Sequence, residues 1–275
     1  MKALKYIGLG GLLVLLTIGC SDFLKEYSQD TYYVSSYEDL DELLAGDGYL
    51  PVNGCGSNMG YFIHFLADEI EEQNSYYSAW GGGFASGADN FRRNLFGYYT
   101  WQQRVGQNDS YTGFITENGT WTELYRLINV MNNVISSIED VPQVSADERL
   151  GAKRVKGEAH FLRAAYYFWL VNLYGKPYDV ATAKEDLAVP LKTTESVLDI
   201  KFSRNTVQET YGLILSDLKT AEACLAETGE ARNIYRADLT AVNLLQSRVH
   251  LYMQNWQLAA DYALSLIHIS EPTRR

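Results

Sequence analysis

The feature that most constrains the fold is a helical periodicity that begins near Trp121. In the segment TWTELYRLINVMNNVISSIED, apolar side chains recur every three or four residues, as they do on one face of an amphipathic helix. That face carries Trp121, Leu124, Tyr125, Ile128, Met131 or Asn132, and Ile135. Because such a face is stable only when it is buried against another element, the second half of the chain is predicted to be a set of packed helices.

Capping boxes mark the start of the next two helices. In this motif a Ser or Thr side chain bonds a backbone N–H three residues later, where a Glu returns the bond. Ser145 and Glu148 form one such pair, and the helix that follows is predicted to stop at the GKP sequence, 175–177. Thr206 and Glu209 form the second pair. Each helix is predicted to bury one apolar stripe.

The helices are predicted to form tetratricopeptide-like hairpins. A fourth helix is expected over about 238–253, and NWQLAADYA begins a fifth. Large residues on one helix face alanines on the next, as in stacked helical repeats. The predicted pairs start near 121 and 206, with a longer connection at 178–202. The predicted class is therefore mostly α, with hairpins rather than a uniform solenoid.

The second of these helices is unusually aromatic, in the stretch HFLRAAYYFWLVNLYGKP. It is too short and too polar to cross a membrane, since Arg163 and Asn172 interrupt it and a span needs about 20 apolar residues. Its aromatic side chains recur around the helix, which favours packing against other helices over sugar binding. They are Phe161, Tyr166, Phe168, Trp169 and Tyr174.

The segment 47–116 has a different composition, with GGG at 81–83, NGCGSNMG and many Tyr, Trp and Asn residues. This pattern predicts loops with one short helix near 62–72. A short helix is also expected just before it, in SSYEDLDELLAG, with Ser36 as N-cap and Gly46 as the stop. The chain is thus predicted to carry a loop-rich, aromatic insertion.

The first residues read as a lipoprotein signal peptide. Lys2 and Lys5 precede the apolar run IGLGGLLVLL, and TIG precedes Cys20. Residues 1–19 are therefore expected to be removed and Cys20 to become the lipidated first residue. An uncleaved anchor helix is the alternative, although the apolar run is too short to cross a bilayer.

The last residues, LSLIHISEPTRR, are expected to break the helical pattern that precedes them. Residues 264–274 resemble the translation of a transposase sequencing adaptor. We therefore expect residues 264–275 to be an artefact, and 20–263 to be part of a longer natural chain.

Charge and cysteine content restrict the partners. The net charge of -11 disfavours nucleic acid, which is bound by basic surfaces. Cys55 and Cys224 are far apart and belong to no C-x-x-C motif, so no metal site is predicted. Whether these two pair is left open.

Taken in order, five segments resemble the RagB/SusD family of outer-membrane nutrient-binding lipoproteins of Bacteroidetes. They are CSDFL, WTELYRLINVMNNVI, KGEAHFLRAAYYFWLVNLYGKPY, TVQETYGLILSDLKTAEACL and RADLTAVNLLQSRVHLYMQNWQLAADYA. The resemblance implies a SusD-like α fold, of which 20–263 is the N-terminal part. This N-terminal part is expected to divide into a loop-rich lobe, 47–116, and tetratricopeptide-like helices, 117–263.

The resemblance also implies a function. Such a protein is held on the cell surface by lipid at Cys20 and binds oligosaccharide on loops. It passes the ligand to a SusC-like TonB-dependent transporter without catalysis and without a cofactor. Aromatic rings, amides and arginines on loops are the groups that bind sugars. The candidate residues are Asn74, Tyr76, Tyr77, Trp80, Asn90, Arg92, Tyr98 and Trp101, with Arg93 and Tyr99 beside them.

Two other functions are kept as alternatives. The first is a structural tetratricopeptide-type adaptor that binds only protein. The second is a surface glycoside hydrolase, which needs two carboxyl groups facing each other across a cleft. The densest acidic cluster is Asp68, Glu69, Glu71 and Glu72, but these residues are nearly consecutive on a predicted helix. The histidines form no H-E-x-x-H motif or triad, so no catalytic site is predicted.

Overall fold

The computed structural model describes residues 34–49, 100–101, 118–196, 201–229 and 233–270. Apart from Val34, these residues belong to one structural unit, Ser35–Arg275. Within the described ranges the chain forms helices and one isolated bridge, Leu187 with Thr206, but no strand. The α-helices are α1 (Tyr37–Leu43), α2 (Asn118–Ser137), α3 (Ala146–Tyr174), α4 (Val207–Leu225), α5 (Leu239–Tyr252) and α6 (Trp256–Ser270).

The predicted helix starts are confirmed by their caps. The Ser145 side chain accepts from the Glu148 N–H, and the Glu148 carboxylate accepts from the Ser145 N–H. Thr206 and Glu209 make the same reciprocal pair at α4. Ser36 caps α1, as predicted. Each cap satisfies backbone donors that a helix start leaves unpaired, so local sequence alone fixes these boundaries.

The prediction that the helix in SSYEDLDELLAG stops at Gly46 is wrong. α1 continues directly into a single π-helical turn, Leu44–Gly48, in which the Tyr49 N–H donates to the Leu44 carbonyl at 2.9 Å. A Cβ atom on Gly46 would meet nothing within 4 Å, whereas one on Gly48 would lie 2.8 Å from Met131 Cε. The chain therefore approaches α2 more closely at Gly48 than at Gly46, and a larger residue at Gly48 would have to displace the end of the Met131 side chain.

The predicted break of the helical pattern at Leu264 is also wrong, because α6 runs to Ser270. The added stretch LSLIHIS contains no Gly or Pro, and the Ser265 hydroxyl donates to the Tyr262 carbonyl at 2.7 Å. Without Gly or Pro, nothing in this stretch breaks a helix that is already formed, although Ile, His and Ser are only moderate helix formers. The assignment of residues 264–275 to a sequencing adaptor stays a prediction.

The helices pack in hairpins, as the sequence predicts. α2 pairs with α3 across a short turn, and α5 pairs with α6. α4 contacts α5, as expected for a pair starting near 206, but its larger contact is with α3. α3 and α4 approach each other closely at Gly157, where a Cβ atom would lie only 2.8 Å from Leu225 Cγ. α1 and the π-turn pack on α2 and α3.

The aromatic side chains of α3 contribute to the core, in agreement with the packing interpretation. Tyr166 and Phe168 are buried, whereas Phe161, Trp169 and Tyr174 are half-buried. The Phe168 ring meets the rings of Tyr211 and Tyr252 edge to face, with centroid distances of 6.3 and 5.1 Å. Edge-to-face pairs of this kind add about 0.5–1.5 kcal/mol beyond the area that they bury.

A buried ionic contact joins the three central helices. Arg163 on α3 donates to Asp217 on α4 through Nε at 2.8 Å and through Nη2 at 2.6 Å. Its Nη1 donates to Asn132 Oδ1 on α2 at 2.9 Å, and His160 Nδ1 lies 2.7 Å from Asp217 Oδ1. Asn132 in turn donates to the Lys192 carbonyl at 3.0 Å. The network thus also holds the connection between α3 and α4.

We predict that Asp217→Asn destabilises the protein by about 3–5 kcal/mol at pH 7, because it leaves the buried Arg163 charge unpaired. Burial alone would raise the pKa of Asp217, but hydrogen bonds from Arg163 and His160 and the guanidinium charge outweigh burial and lower it. The stabilisation is therefore present above about pH 4, the ordinary range of an unfolded Asp, and is lost as pH falls through the lowered pKa.

Urea unfolding of the variant and the parent chain between pH 7 and pH 3 tests this prediction. The difference in unfolding free energy should narrow as pH falls below about 4. Asp140→Asn, at an exposed position after α2, is the matched control and should leave the curve nearly unchanged. Equal stability of Asp217→Asn and the parent at pH 7 would contradict the structural role of the pair.

Candidate functional site

Trp101 is the predicted glycan contact that the structure describes. Its side chain is 70% exposed, and its backbone has φ of 54°, in the left-handed region. Left-handed backbone costs a non-glycine residue about 1–2 kcal/mol, so the turn at Thr100–Trp101 is a backbone conformation that tryptophan does not favour. An exposed indole ring offers a flat apolar face and one N–H donor, which suits stacking on a sugar.

The other predicted functional residues lie outside the described ranges. They are the candidates Asn74, Tyr76, Tyr77, Trp80, Asn90, Arg92, Arg93, Tyr98 and Tyr99, the lipidation residue Cys20, Cys55, and the acids Asp68, Glu69, Glu71 and Glu72. The site can therefore be built from Trp101 and from the two places where the helical scaffold flanks the candidate segment.

The first flank ends at Tyr49, which is held by two hydrogen bonds. Its hydroxyl donates to Glu158 on α3 at 2.5 Å and accepts from the Ala237 N–H at 2.8 Å. Burial raises the pKa of the Tyr49 hydroxyl, and the neighbouring Glu158 carboxylate raises it further, so the phenol stays neutral. The preceding carbonyl, of Gly48, accepts from the Tyr166 hydroxyl at 2.5 Å.

Arg236 completes this anchor. Its Nε donates to Glu158 at 2.6 Å, its Nη2 pairs with Asp41, and the guanidinium lies 5.2 Å from the centre of the Tyr49 ring. Burial raises the pKa of Glu158 despite the hydrogen bonds from Arg236 and Tyr49. The contact joins α1, α3 and the turn before α5 around Tyr49, and we name it the Arg236 clamp.

The second flank is fixed by aromatic packing. The Trp121 ring lies 4.9 Å from the Tyr125 ring and 5.0 Å, edge to face, from the Tyr174 ring at the end of α3. The Tyr125 hydroxyl donates to the Pro190 carbonyl at 2.7 Å. Glu158 and Tyr174 lie about 24 Å apart along α3 at a helical rise of about 1.5 Å per residue. The scaffold thus holds the two flanks at well-separated points.

The described residues show no catalytic arrangement. His160 and Asp217 are adjacent, but both are buried, and the Asp217 carboxylate already accepts two hydrogen bonds from Arg163. Burial lowers the pKa of His250, whose ring stacks on Tyr262 with centroids 5.6 Å apart. Cys224 is a free, buried thiol. In the part of the chain that the structure describes, no cluster of His, Cys, Asp or Glu has the grouping of a metal site, and no helix has the length and apolarity to cross a membrane.

Sequence reasoning missed the partners of two structural charges. Asp217 lies between Ile214 and Leu218 on the apolar face of α4, and a carboxylate at such a place was a signal of a buried partner. Arg236 gave no such signal, because it stands in a turn and meets residues far away in sequence. The same turn displays Ile234 and Tyr235, which are 90% and 61% exposed.

Comparison with known proteins identifies the family. A SusD-like family model, described as starch-binding and associating with the outer membrane, matches residues 66–251. The chain belongs to this SusD-like family. The match includes Trp101, all the other glycan candidates and the helices α2 to α5.

Individual relatives agree with the family assignment. SusD-like protein P25 of Formosa agariphila is 26% identical over 150 residues, which make up 54% of this chain and 26% of that protein. A SusD superfamily crystal structure from Bacteroides thetaiotaomicron is 26% identical with a TM-score of 0.60, covering 84% of this chain and 46% of that one. A laminarin-binding SusD-like protein has the same fold at 19% identity, with a TM-score of 0.60 and coverage of 85% and 44%. The chain thus spans about half the length of these SusD-like structures, and its match covers about a quarter of the curated relative.

Proposed function

We propose that this SusD-like chain is part of a cell-surface lipoprotein that binds oligosaccharide and delivers it to a TonB-dependent transporter without catalysis. The observation that carries the proposal is the family match over 66–251, because it joins the candidate glycan segment and the helical scaffold in one family described as starch-binding. In this proposal residues 20–263 are the N-terminal part of the binding domain, with the loop-rich lobe at 47–116 facing the ligand.

Trp101 supports the binding step. Its ring is exposed to solvent and available to a ligand. A tryptophan side chain has only two torsions, so it loses less conformational entropy on binding than a long flexible side chain does. A site made of such rings and of amides binds by stacking and hydrogen bonds, and it needs neither a nucleophile nor an acid–base pair.

Starch and laminarin are the first ligands to test. The family is described as starch-binding, and one relative of the same fold is described as laminarin-binding. Both are neutral glucans, whose apolar sugar faces suit aromatic stacking. A net charge of -11 presents no general attraction for anionic polymers, which is consistent with a neutral glycan as the main ligand.

The anchoring and transport steps rest on the sequence and the family. Cys20 follows a predicted lipoprotein signal peptide, and the family is described as associating with the outer membrane. We propose that lipid on Cys20 holds the protein at the outer surface, beside a SusC-like transporter.

We predict that Trp101→Ala weakens retention of the protein in affinity gels that contain laminarin or starch. One stacked ring contributes on the order of 1 kcal/mol, so the dissociation constant should rise about fivefold. Trp256→Ala is the matched control, because Trp256 on α6 is 63% exposed but lies outside the candidate segment. It should be retained like the parent chain.

Two results would count against this site. Equal retention of both variants and the parent would remove Trp101 from the glycan contact. Failure of the parent chain to bind any glycan, together with co-purification of the transporter, would favour the protein-binding adaptor instead.

We further predict that Cys20→Ser abolishes incorporation of labelled palmitate and releases the protein from the membrane fraction of a Bacteroidetes host. Cys55→Ser is the control, and it should be labelled and fractionated like the parent. Labelling that persists in Cys20→Ser would contradict the proposed anchor.

A further inference from the structure

A pocket on the helical scaffold has a charge opposite to that of the chain as a whole. It has a volume of about 300 Å³ and lies between the α2–α3 turn, the first half of α3 and the end of α4. Its size is at the lower end of the range of ligand pockets, about 300–1,000 Å³. The residues that form it are far in sequence from Trp101, and none of them belongs to the Arg236 clamp.

Three cations line one side of this pocket. Arg149, Lys153 and Lys156 follow one another at spacings of four and three residues on α3, so they project from the same helical face. One lining carboxylate, Glu139, faces them. With Glu227, which pairs with Lys153 from outside the lining, three cations meet two carboxylates, so the formal excess is one positive charge in a chain whose net charge is -11.

The carboxylates that pair with the lysines are held loosely. Lys153 lies 2.5 Å from Glu227, and Lys156 pairs with Glu139. The side chains of Glu227 and Glu139 are 63% and 60% exposed, whereas those of the lysines are 36% and 34% exposed. Exposed pairs contribute only about 0–1 kcal/mol, so a ligand anion can replace either carboxylate at little energetic penalty.

Among the described residues, no carboxylate lies within 4.0 Å of the Arg149 guanidinium, which interacts electrostatically with the neighbouring Glu148 at longer range. Its Nη1 donates to the carbonyls of Val144 and Gln143 at 2.5 and 3.3 Å, and these bonds orient the exposed guanidinium beside the pocket. The remaining donors of a guanidinium match the two oxygens of a carboxylate or a sulfate group.

The base of the pocket is uncharged. Ile138 and Ala152 are buried apolar residues, and burial raises the pKa of the Cys224 thiol, which therefore adds no negative charge at neutral pH. An apolar base excludes water from one side of the cations and so strengthens their attraction for an anion.

We propose that this pocket binds one small oxyanion, a carboxylate or a sulfate group, through Arg149, Lys153 and Lys156. The oxyanion is either free in solution or carried on an acidic sugar. This proposal is separate from the proposed glycan site near Trp101. A neutral glucan carries no charged group that the pocket could bind, so the two sites take different ligands.

Isothermal titration of the chain at constant ionic strength tests the proposal with three probes: sodium glucuronate, sodium sulfate and glucose. Glucuronate or sulfate should bind saturably at one site, and glucose should not. Arg149→Gln and Lys153→Gln should each raise the dissociation constant about tenfold, because each removes a charged hydrogen-bond donor. Lys219→Gln, at an exposed lysine of α4 outside the pocket, should change it less than about twofold.

The probes also separate the two sources of the oxyanion. Tighter binding of glucuronate than of sulfate assigns the pocket to acidic sugars, and equal binding assigns it to free oxyanions. Absence of saturable binding by both anions overturns the proposal, as does an equal loss in Lys219→Gln and Arg149→Gln. Circular dichroism and the melting temperature verify that each variant is folded. If Arg149→Gln does not fold, Lys153→Gln still tests the proposal.

Discussion

The arrangement of the central helices depends on one buried contact, the bidentate pair of Arg163 with Asp217. Taking two charges out of water costs several kcal/mol per ion unless their geometry satisfies both groups. Here α3 supplies the guanidinium, α4 the carboxylate and α2 the amide of Asn132, so the charges are satisfied only when the three helices meet in one register. Apolar contacts between the same helices tolerate small shifts of one helix along another. We infer that the ionic contact selects one of these relative positions.

That register places the two flanks of the glycan-binding candidate segment. The first half of α3 presents Glu158 to the Arg236 clamp, which holds Tyr49, and the end of α3 presents Tyr174 to Trp121. A single long helix therefore sets the positions from which the lobe departs and to which it returns. A rigid scaffold that carries a variable binding segment is a common arrangement, because the scaffold's stability does not depend on the ligand contacts.

The elements that could be predicted from the sequence are those set by local signals. The capping boxes at Ser145 and Thr206 and the apolar stripes gave the starts of the helices and the mostly α class. The π-turn at Leu44–Gly48 could not be predicted, because the apolar pattern of the segment gives no signal for a change from an α-helix to a π-helix. The position of Asp217 on an apolar face indicates a buried partner without naming it, and the partners of Arg236 lie many residues away in sequence. Of the candidate site, the structure describes Trp101, which is exposed, and its role in glycan binding stays a prediction.

We propose that glycan is bound by the segment that the helices flank. Photo-crosslinking with a laminarin oligosaccharide that carries a diazirine, followed by peptide mass spectrometry, locates the bound glycan. We expect adducts within residues 74–101 that excess unlabelled laminarin removes. Competable adducts confined to α2–α6, with none in that segment, would contradict it.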